Sequence, residues 1–214
     1  MPQLKERVDL VLTDPPYGID AYGKGMMGGG VLAKQSRFEP TEWDRERLTR
    51  MHIEMLRHYS EHQIVWGGNY YADWFPASAC WLVWHKDNGA NDFADCELAW
   101  TSLPGAVRYF KWRWQGMLQQ NMKRKEERWH PTQKPLALMK WCIDLARLES
   151  GALILDPFCG VATTLVAAKL RGCRSIGIEA SEKYCELAVK ERLNRPLPLF
   201  DDERANSEQQ QIFS

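Results

Sequence analysis

Apolar positions along this chain fall into short runs, each stopped by an acid, a proline or a glycine. Val8 to Leu12, Ile64 to Trp66, Trp81 to Trp84, Glu97 to Thr101, Val107 to Phe110, Leu153 to Leu155 and Ser175 to Ile178 have the length and the β-branched or aromatic content of strands. Helical spacing appears between them. Leu48, Met51, Met55 and Tyr59 recur every three or four residues behind Thr41-Glu42-Trp43-Asp44, which has the form of a capping box. Pro135 opens a second helix that runs to about Leu148, Thr163 to Leu170 forms a third, and Ser181 caps a fourth. The stretch 18–40 contains GKGMMGGG and reads as a glycine-rich loop. From Arg195 on, the chain turns polar and reads as a flexible tail, residues 195–214.

Strands alternating with helices predict an α/β fold, a mostly parallel, doubly wound sheet with helices on both faces. In such sheets ligands sit beyond the carboxyl ends of the strands. Two runs deliver chemistry to that edge. VDLVLTDPPYG ends its strand in Asp14-Pro15-Pro16-Tyr17, where two prolines fix φ and remove competing donors. LILDPFCGVATTL ends its strand at Asp156, turns at Gly160 and starts a helix near Thr163, whose free amide groups can receive polar ligand atoms. The next strand ends at Glu179, where an acid can accept hydrogen bonds from ribose hydroxyls. Together these features suggest an adenosine-containing ligand. The glycines do not follow GxGxxG and no GxxxxGK[ST] loop exists, so neither a dinucleotide nor a hydrolysable triphosphate is supported.

At 214 residues and 24.8 kDa, residues 1–194 are expected to form a single catalytic domain. Lys plus Arg and Asp plus Glu both total 28, so any nucleic-acid surface must be local. Six scattered cysteines without a CxxC pair favour reduced thiols and a cytoplasmic location. The start MPQLKERVDL has no apolar run of signal-peptide length and no window is apolar enough for a membrane span, so no membrane partner is expected.

Three motifs in one order resemble the amino-group (N6-adenine or N4-cytosine) DNA methyltransferases. Asp14-Pro15-Pro16-Tyr17 resembles their catalytic motif, and Asp156-Pro157-Phe158-Cys159-Gly160 with Thr163-Thr164 their S-adenosylmethionine loop. His130-Pro131-Thr132-Gln133-Lys134-Pro135 is similar to the motif that precedes that loop. The catalytic motif comes first, as in the circularly permuted class called beta, and the resemblance extends over about residues 8 to 193. It implies a Rossmann-like methyltransferase fold and S-adenosylmethionine as cofactor. Relatives of this kind occur in restriction-modification systems and bacteriophages, and often pair, so a homodimer is possible. For the site, it implies Asp14, Pro15, Pro16 and Tyr17 as catalytic residues: Asp14 and the Pro15 carbonyl accept the two hydrogens of an exocyclic amino group, and Tyr17 stacks on a base swung out of the duplex. Asp156, Phe158, Gly160, Ala162, Thr163 and Thr164 are assigned to the cofactor loop, Glu179 to the ribose, and Thr132 and Lys134 to the border of the same pocket. The family usually has glycine where Ala162 stands; alanine is acceptable there wherever φ stays negative.

Double-stranded DNA needs a basic surface. The segment at about 105–129 supplies Arg108, Lys111, Arg113, Lys123, Arg124, Lys125 and Arg128, interleaved with aromatic residues, where the family places its target-recognition segment. His58 and His62 stand four apart on the predicted first helix, a metal-ligand spacing. They lack the Glu of HExxH, so an exposed helix face is the preferred reading and no metal is predicted. The family usually carries one more strand ahead of the catalytic one, a wall for the adenine ring. Met1 lies only thirteen residues before Asp14, which suggests a truncated start or a lost edge strand and weakened cofactor affinity. Adenine N6 is favoured as the target because DPPY is commoner there than in the cytosine-N4 group. A cytosine-N4 enzyme, an RNA or protein methyltransferase, and a degenerate methylase that binds DNA without turnover are the alternatives.

Overall fold

The structure is a computed structural model that describes residues 7–19, 47–89, 94–115, 118–130 and 132–195. Most of the 18–40 loop, the Thr41–Asp44 capping box and the tail beyond Arg195 lie outside those residues.

Among the described residues, seven strands form one sheet: β1 (Val8–Thr13), β2 (Ser60–Trp66), β3 (Trp81–His85), β4 (Cys96–Thr101), β5 (Arg108–Lys111), β8 (Leu153–Asp156) and β9 (Arg174–Gly177), in the order β5-β3-β4-β2-β1-β8-β9. β4 alone runs against its neighbours, and every other pairing is parallel. A two-stranded ribbon, β6 (Trp114–Gln115) and β7 (Leu118–Gln119), stands apart from the sheet and was not visible in the pattern of apolar residues.

Alternation along the central strands builds a core on each face. Leu10, Leu12 and Ile154 point toward α2 (Leu136–Ala146) and α3 (Thr163–Leu170), joining Leu138, Cys142, Ile143 and Ala167. Val11, Leu153 and Leu155 point the other way, onto Ile53 and Leu56 of α1 (Arg50–His58). Full burial of a side chain such as Ile53 or Leu56 stabilises the fold by about 1.5–3 kcal/mol, enough to hold a helix as short as α1.

Several boundaries differ from the sequence expectation. α1 begins at Arg50 with Thr49 as its cap, and the Thr49 amide donates to Nδ1 of His52 at 3.2 Å. It stops at His58, because Ser60 pairs with Val8 and starts β2. His62 is therefore on a strand, and the four-residue helical spacing of His58 and His62 does not exist. Strand pairing wins here because β2 abuts the central strand β1. α2 ends at Ala146, two residues early, where Arg147 turns left-handed at φ +50°. The helices α3 and α4 (Glu182–Leu187) begin where predicted, with Ser181 Oγ accepting from the Tyr184 amide at 3.4 Å. α4 passes into a turn of π-helix, Ala188–Leu193. All six cysteines are free, with Cys80 and Cys142 in the core.

This connectivity positions the site. From β1 the chain crosses by α1 to β2 on one side, and from β8 it crosses by α3 to β9 on the other. β1 and β8 are therefore the switch point of the sheet, and a crevice opens beyond their carboxyl ends.

Candidate active site

Asp14 follows the last residue of β1, and Pro15 and Pro16 end the strand because neither has an N–H to continue the ladder. Asp156 is the last residue of the neighbouring β8. The two motifs, more than a hundred residues apart in sequence, touch: the Thr13 hydroxyl donates to Asp156 Oδ1 at 2.7 Å. The Phe158 amide adds a second hydrogen bond to the same oxygen at 3.1 Å. Asp156 is only 3% exposed, and burial pushes its carboxyl up to about 6.

A cleft of about 960 Å³ opens over this junction. Its walls include Asp14, Pro16, Thr132, Lys134, Asp156, Phe158, Gly160, Thr163, Thr164 and Glu179, which unites most of the residues expected at the two motifs. Met51, His52 and Met55 of α1 close another side and were not foreseen. Glu179 holds the turn from both ends: the Gly160 amide donates to Oε2 at 2.9 Å and the Ser181 amide to Oε1 at 2.8 Å. Each carboxylate oxygen keeps a second lone pair that can accept from a ligand hydroxyl.

Ala162 departs from the expectation made for it. Its φ is +64° with ψ 35°, squarely left-handed, and the side chain is fully buried outside the lining of the cleft. A non-glycine residue in that region carries a cost of about 1–2 kcal/mol. The turn is held regardless: the Ala162 amide donates to the Cys159 carbonyl at 2.7 Å. Arg192 donates to the Val161 carbonyl and to Thr163 Oγ1, both at 2.8 Å. Arg192 was missed in the sequence, where it is one cation in a charged helix.

The catalytic-motif side is more crowded than the sequence suggested. The Tyr17 hydroxyl donates to Asp14 Oδ1 at 2.5 Å, and the Tyr71 hydroxyl donates to the Pro16 carbonyl. The Tyr17 ring stacks on Tyr70 with centroids 4.8 Å apart. The same ring lies against Gly67, where an added Cβ would come within 2.0 Å of Tyr17 Cε1. A base stacking on that face of Tyr17 would therefore have to displace Tyr70, a residue for which the sequence offered no role. Neither Pro15 nor Tyr17 lines the cleft.

Lys134 does border the cleft, but its ammonium turns onto Asp14. It lies 2.5 Å from Asp14 Oδ2, 3.0 Å from Glu97 Oε2 and 3.3 Å from the Tyr17 hydroxyl, and its side chain is 7% exposed. Glu97 in turn meets Lys86 at 2.5 Å. Burial pushes the Asp14 carboxyl up and the neighbouring Glu97 adds to it, while Lys134 opposes both. Burial also works against the charge on Glu97, yet Lys134 and Lys86 outweigh it and bring that carboxyl down to about 2. Lys134 itself is raised despite burial, by Asp14 and Glu97. The only hint in the sequence was a single acid, Glu97, at the head of an otherwise apolar strand. His130 is buried beside Tyr184 and Thr132, and burial with the nearby Lys134 and Arg128 depresses its imidazole to about 4, so it is neutral near pH 7.

The basic segment extends from the sheet edge at β5. Arg108, Lys123, Arg124 and Lys125 are exposed and Arg128 is half-buried with its guanidinium 5.6 Å from the Trp114 ring centre. Lys111 and Arg113 share Asp87, at 2.8 and 2.6 Å, so part of their charge is already met by the protein. Glu126, from the same segment, accepts from the Leu136 amide at the start of α2 and ties the segment to the body. No group of His, Cys, Asp and Glu suited to a metal occurs among the described residues, and no helix there is long and apolar enough to cross a membrane.

Comparison with known proteins adds an independent line. The sequence profile of the DNA methylase family matches residues 36–190. The chain is 30% identical over 227 aligned positions to the type II methyltransferase M2.DpnII of Streptococcus pneumoniae, covering 86% of this chain and 82% of that one. It is 28% identical to the type II methyltransferase M2.LlaDCHI of Lactococcus lactis subsp. cremoris, covering 89% and 83%. Among solved structures, the fold is similar to the M1.HpyAVI–SAM complex, with a TM-score of 0.55 at 22% identity, covering 89% of this chain and 90% of that one. It is also similar to the PvuII DNA methyltransferase, described as cytosine-N4-specific, with a TM-score of 0.53 at 13% identity, covering 97% and 86%.

Proposed function

The chain belongs to the DNA methylase family, and from that premise we propose that it transfers a methyl group from S-adenosylmethionine to the N6 amino group of adenine in double-stranded DNA. One observation carries the reading. Asp14 and Asp156 stand at adjacent strand ends of the switch point and border one cleft, linked through the Thr13 hydroxyl.

The cleft suits the cofactor: it is large enough for a nucleoside with an amino-acid arm, an apolar wall at Phe158 and Ile178 can face a purine, and Glu179 retains acceptor capacity for ribose hydroxyls. When bound, S-adenosylmethionine supplies an electrophilic methyl on a sulfonium sulfur. The remaining work belongs to the protein. An exocyclic amino nitrogen is a weak nucleophile because its lone pair is delocalised into the ring. In this reading Asp14 accepts one amino hydrogen and the Pro15 carbonyl the other, drawing the nitrogen toward a tetrahedral shape whose lone pair faces the methyl. As the nitrogen–methyl bond forms the sulfur–methyl bond breaks, leaving a neutral thioether; the nitrogen becomes cationic and then gives its proton to solvent water, so a carboxylate at Asp14 stabilises the charge as it develops. Tyr17 and Tyr71 hold that turn from its two sides. Arg108 and Lys123 to Lys125 neutralise phosphates. Two chains pair in the cytoplasm, and β9, the last strand of the sheet among the described residues, offers an edge for such pairing.

Incubation with labelled S-adenosylmethionine and unmethylated DNA of mixed sequence, followed by hydrolysis to nucleosides, tests the reading. N6-methyladenine is expected. N4-methylcytosine would overturn adenine as the target and make the protein a cytosine-N4 methyltransferase. DNA binding without label would make the protein a methylase that has lost turnover.

A further inference from the structure

Beyond Asp14, a row of alternating charges crosses the carboxyl edge of the sheet. It runs from Asp14 at β1 to Lys134 in the segment before α2, to Glu97 on β4 and to Lys86 behind β3, with contacts of 2.5, 3.0 and 2.5 Å. The side chains of Lys86 and Glu97 are about a fifth exposed and that of Lys134 less than a tenth. Two acids and two bases compensate one another in sequence along the row. Burying charges is costly unless each is met, so a group that serves only packing would be replaced by an apolar one without loss. Neither Lys86 nor Glu97 lines the cleft; the Lys86 ammonium also lies 5.3 Å from the Trp84 ring centre, and through Glu97 and Lys134 the row of ion pairs ends on Asp14.

We propose that Glu97, gripped by Lys86, is a positioning residue for methyl transfer: it divides the Lys134 ammonium between two carboxylates and so sets how strongly Asp14 draws on the acceptor amino group. If Asp14 alone held Lys134, its negative charge would be largely spent on the ammonium. Glu97 draws part of that attraction away, and Lys86 limits how much. The inference rests on the amino-methyltransferase reading for its consequence, although the charge coupling itself does not.

Among the described residues, the charged and titratable groups coupled to Asp14 come from several elements. Lys134 comes from the segment before α2, Tyr17 from Asp14's own turn, Asp156 from β8 and Glu97 from β4, while His130 faces Lys134 and Tyr71 faces Tyr17 one step further out. Replacing Glu97 or Lys86 shifts the field at Asp14 in opposite directions. Glu97→Gln removes a negative charge, so Asp14 should titrate lower. Lys86→Met removes a positive one, so Asp14 should titrate higher. Each shift should be about one pH unit, the size expected for a unit charge several ångströms away behind one intervening group.

Two measurements decide it on the full chain. Carbon-detected NMR of the side-chain carboxyls, with Asp14→Asn to assign the signal, follows the midpoint directly. Single-turnover methylation of DNA against pH follows its consequence, as the acid limb of the rate. Opposite displacements of the midpoint and of the acid limb in the two variants are expected. Displacement in the same direction, or none, overturns the inference. Lys86→Met keeps Asp14, Lys134 and Glu97, and its upward shift is required even where Glu97→Gln does not fold. Should the wild-type protein label no DNA, the amino-methyltransferase reading fails, and the NMR midpoints still accept or reject the coupling.

Discussion

Replacing Asp156 by asparagine should make the protein more stable at pH 8 and no more stable at pH 4. The carboxyl is buried against Thr13, Phe158 and Thr164, and its folded pKa of about 6 stands above an ordinary 3.8. A raised pKa means that the folded state prefers the protonated form. The stability this contributes is complete below the unfolded value and is lost as pH rises through about 6. The gap corresponds to about 3 kcal/mol, fully expressed above pH 7. Asparagine has the same shape, keeps Oδ1 for the Thr13 hydroxyl and the Phe158 amide, and carries no charge to desolvate. Its NH2 needs an acceptor, which the Thr164 hydroxyl can provide by reversing its role. Allowing about 1 kcal/mol for an imperfect hydrogen bond leaves a net gain of about 2 kcal/mol at pH 8. Urea unfolding followed by tryptophan fluorescence at both pH values, with equal m-values in the two proteins, measures the difference. His130, held neutral with a pKa of about 4, acts in the other sense, contributing stability above 6.5 that is lost as pH falls through 4. It is unchanged by the substitution and cancels in the comparison. The same asparagine should weaken S-adenosylmethionine binding, because an anionic strand end faces the cleft in the wild type. A difference between variant and wild type that does not change with pH would refute the reasoning.

Other outcomes follow from the same contacts. Gly67→Ala places a methyl 2.0 Å from the Tyr17 ring at a φ of +68°, so it should cost about 1–3 kcal/mol in denaturant unfolding and lower methyl transfer at least tenfold. Ala162→Gly relieves about 1–2 kcal/mol of left-handed strain but gives back most of it in chain entropy and one buried methyl, so stability should change by less than about 1 kcal/mol while calorimetry shows cofactor affinity equal or tighter. Arg192→Met removes the two donors on Val161 and Thr163, about 1.5–3 kcal/mol each at most, and should weaken cofactor binding about tenfold or more with little effect on DNA affinity. Lys125→Ala should weaken binding to every DNA sequence about equally and reduce the salt dependence, as a phosphate contact does; fluorescence anisotropy at several salt concentrations checks this.

The chain order of apolar runs and their stops determined the elements near the chemistry. Two prolines end β1 wherever that strand lies, a residue with a free hydroxyl at 181 caps α4, and a strand that closes on Asp156 with a turn at Gly160 leads into α3. These are local consequences of missing amides, capping oxygens and backbone freedom, so they can be read without neighbours. Relations between distant segments could not be. Strand pairing decided that His62 belongs to β2, because Ser60 meets Val8. Only the close turn between β8 and α3 showed that Ala162 is left-handed, since no local rule forces alanine there. Likewise Lys134 could be placed beside the cofactor motif from its position in the chain, but whether its ammonium faces the cleft or Asp14 depends on where β4 brings Glu97. A charge acts through space with a strength set by burial, and both distance and burial are properties of the packed sheet. The sequence thus determined which chemical groups stand at the strand ends, while the tertiary structure decided which of them meet and what charge each one carries.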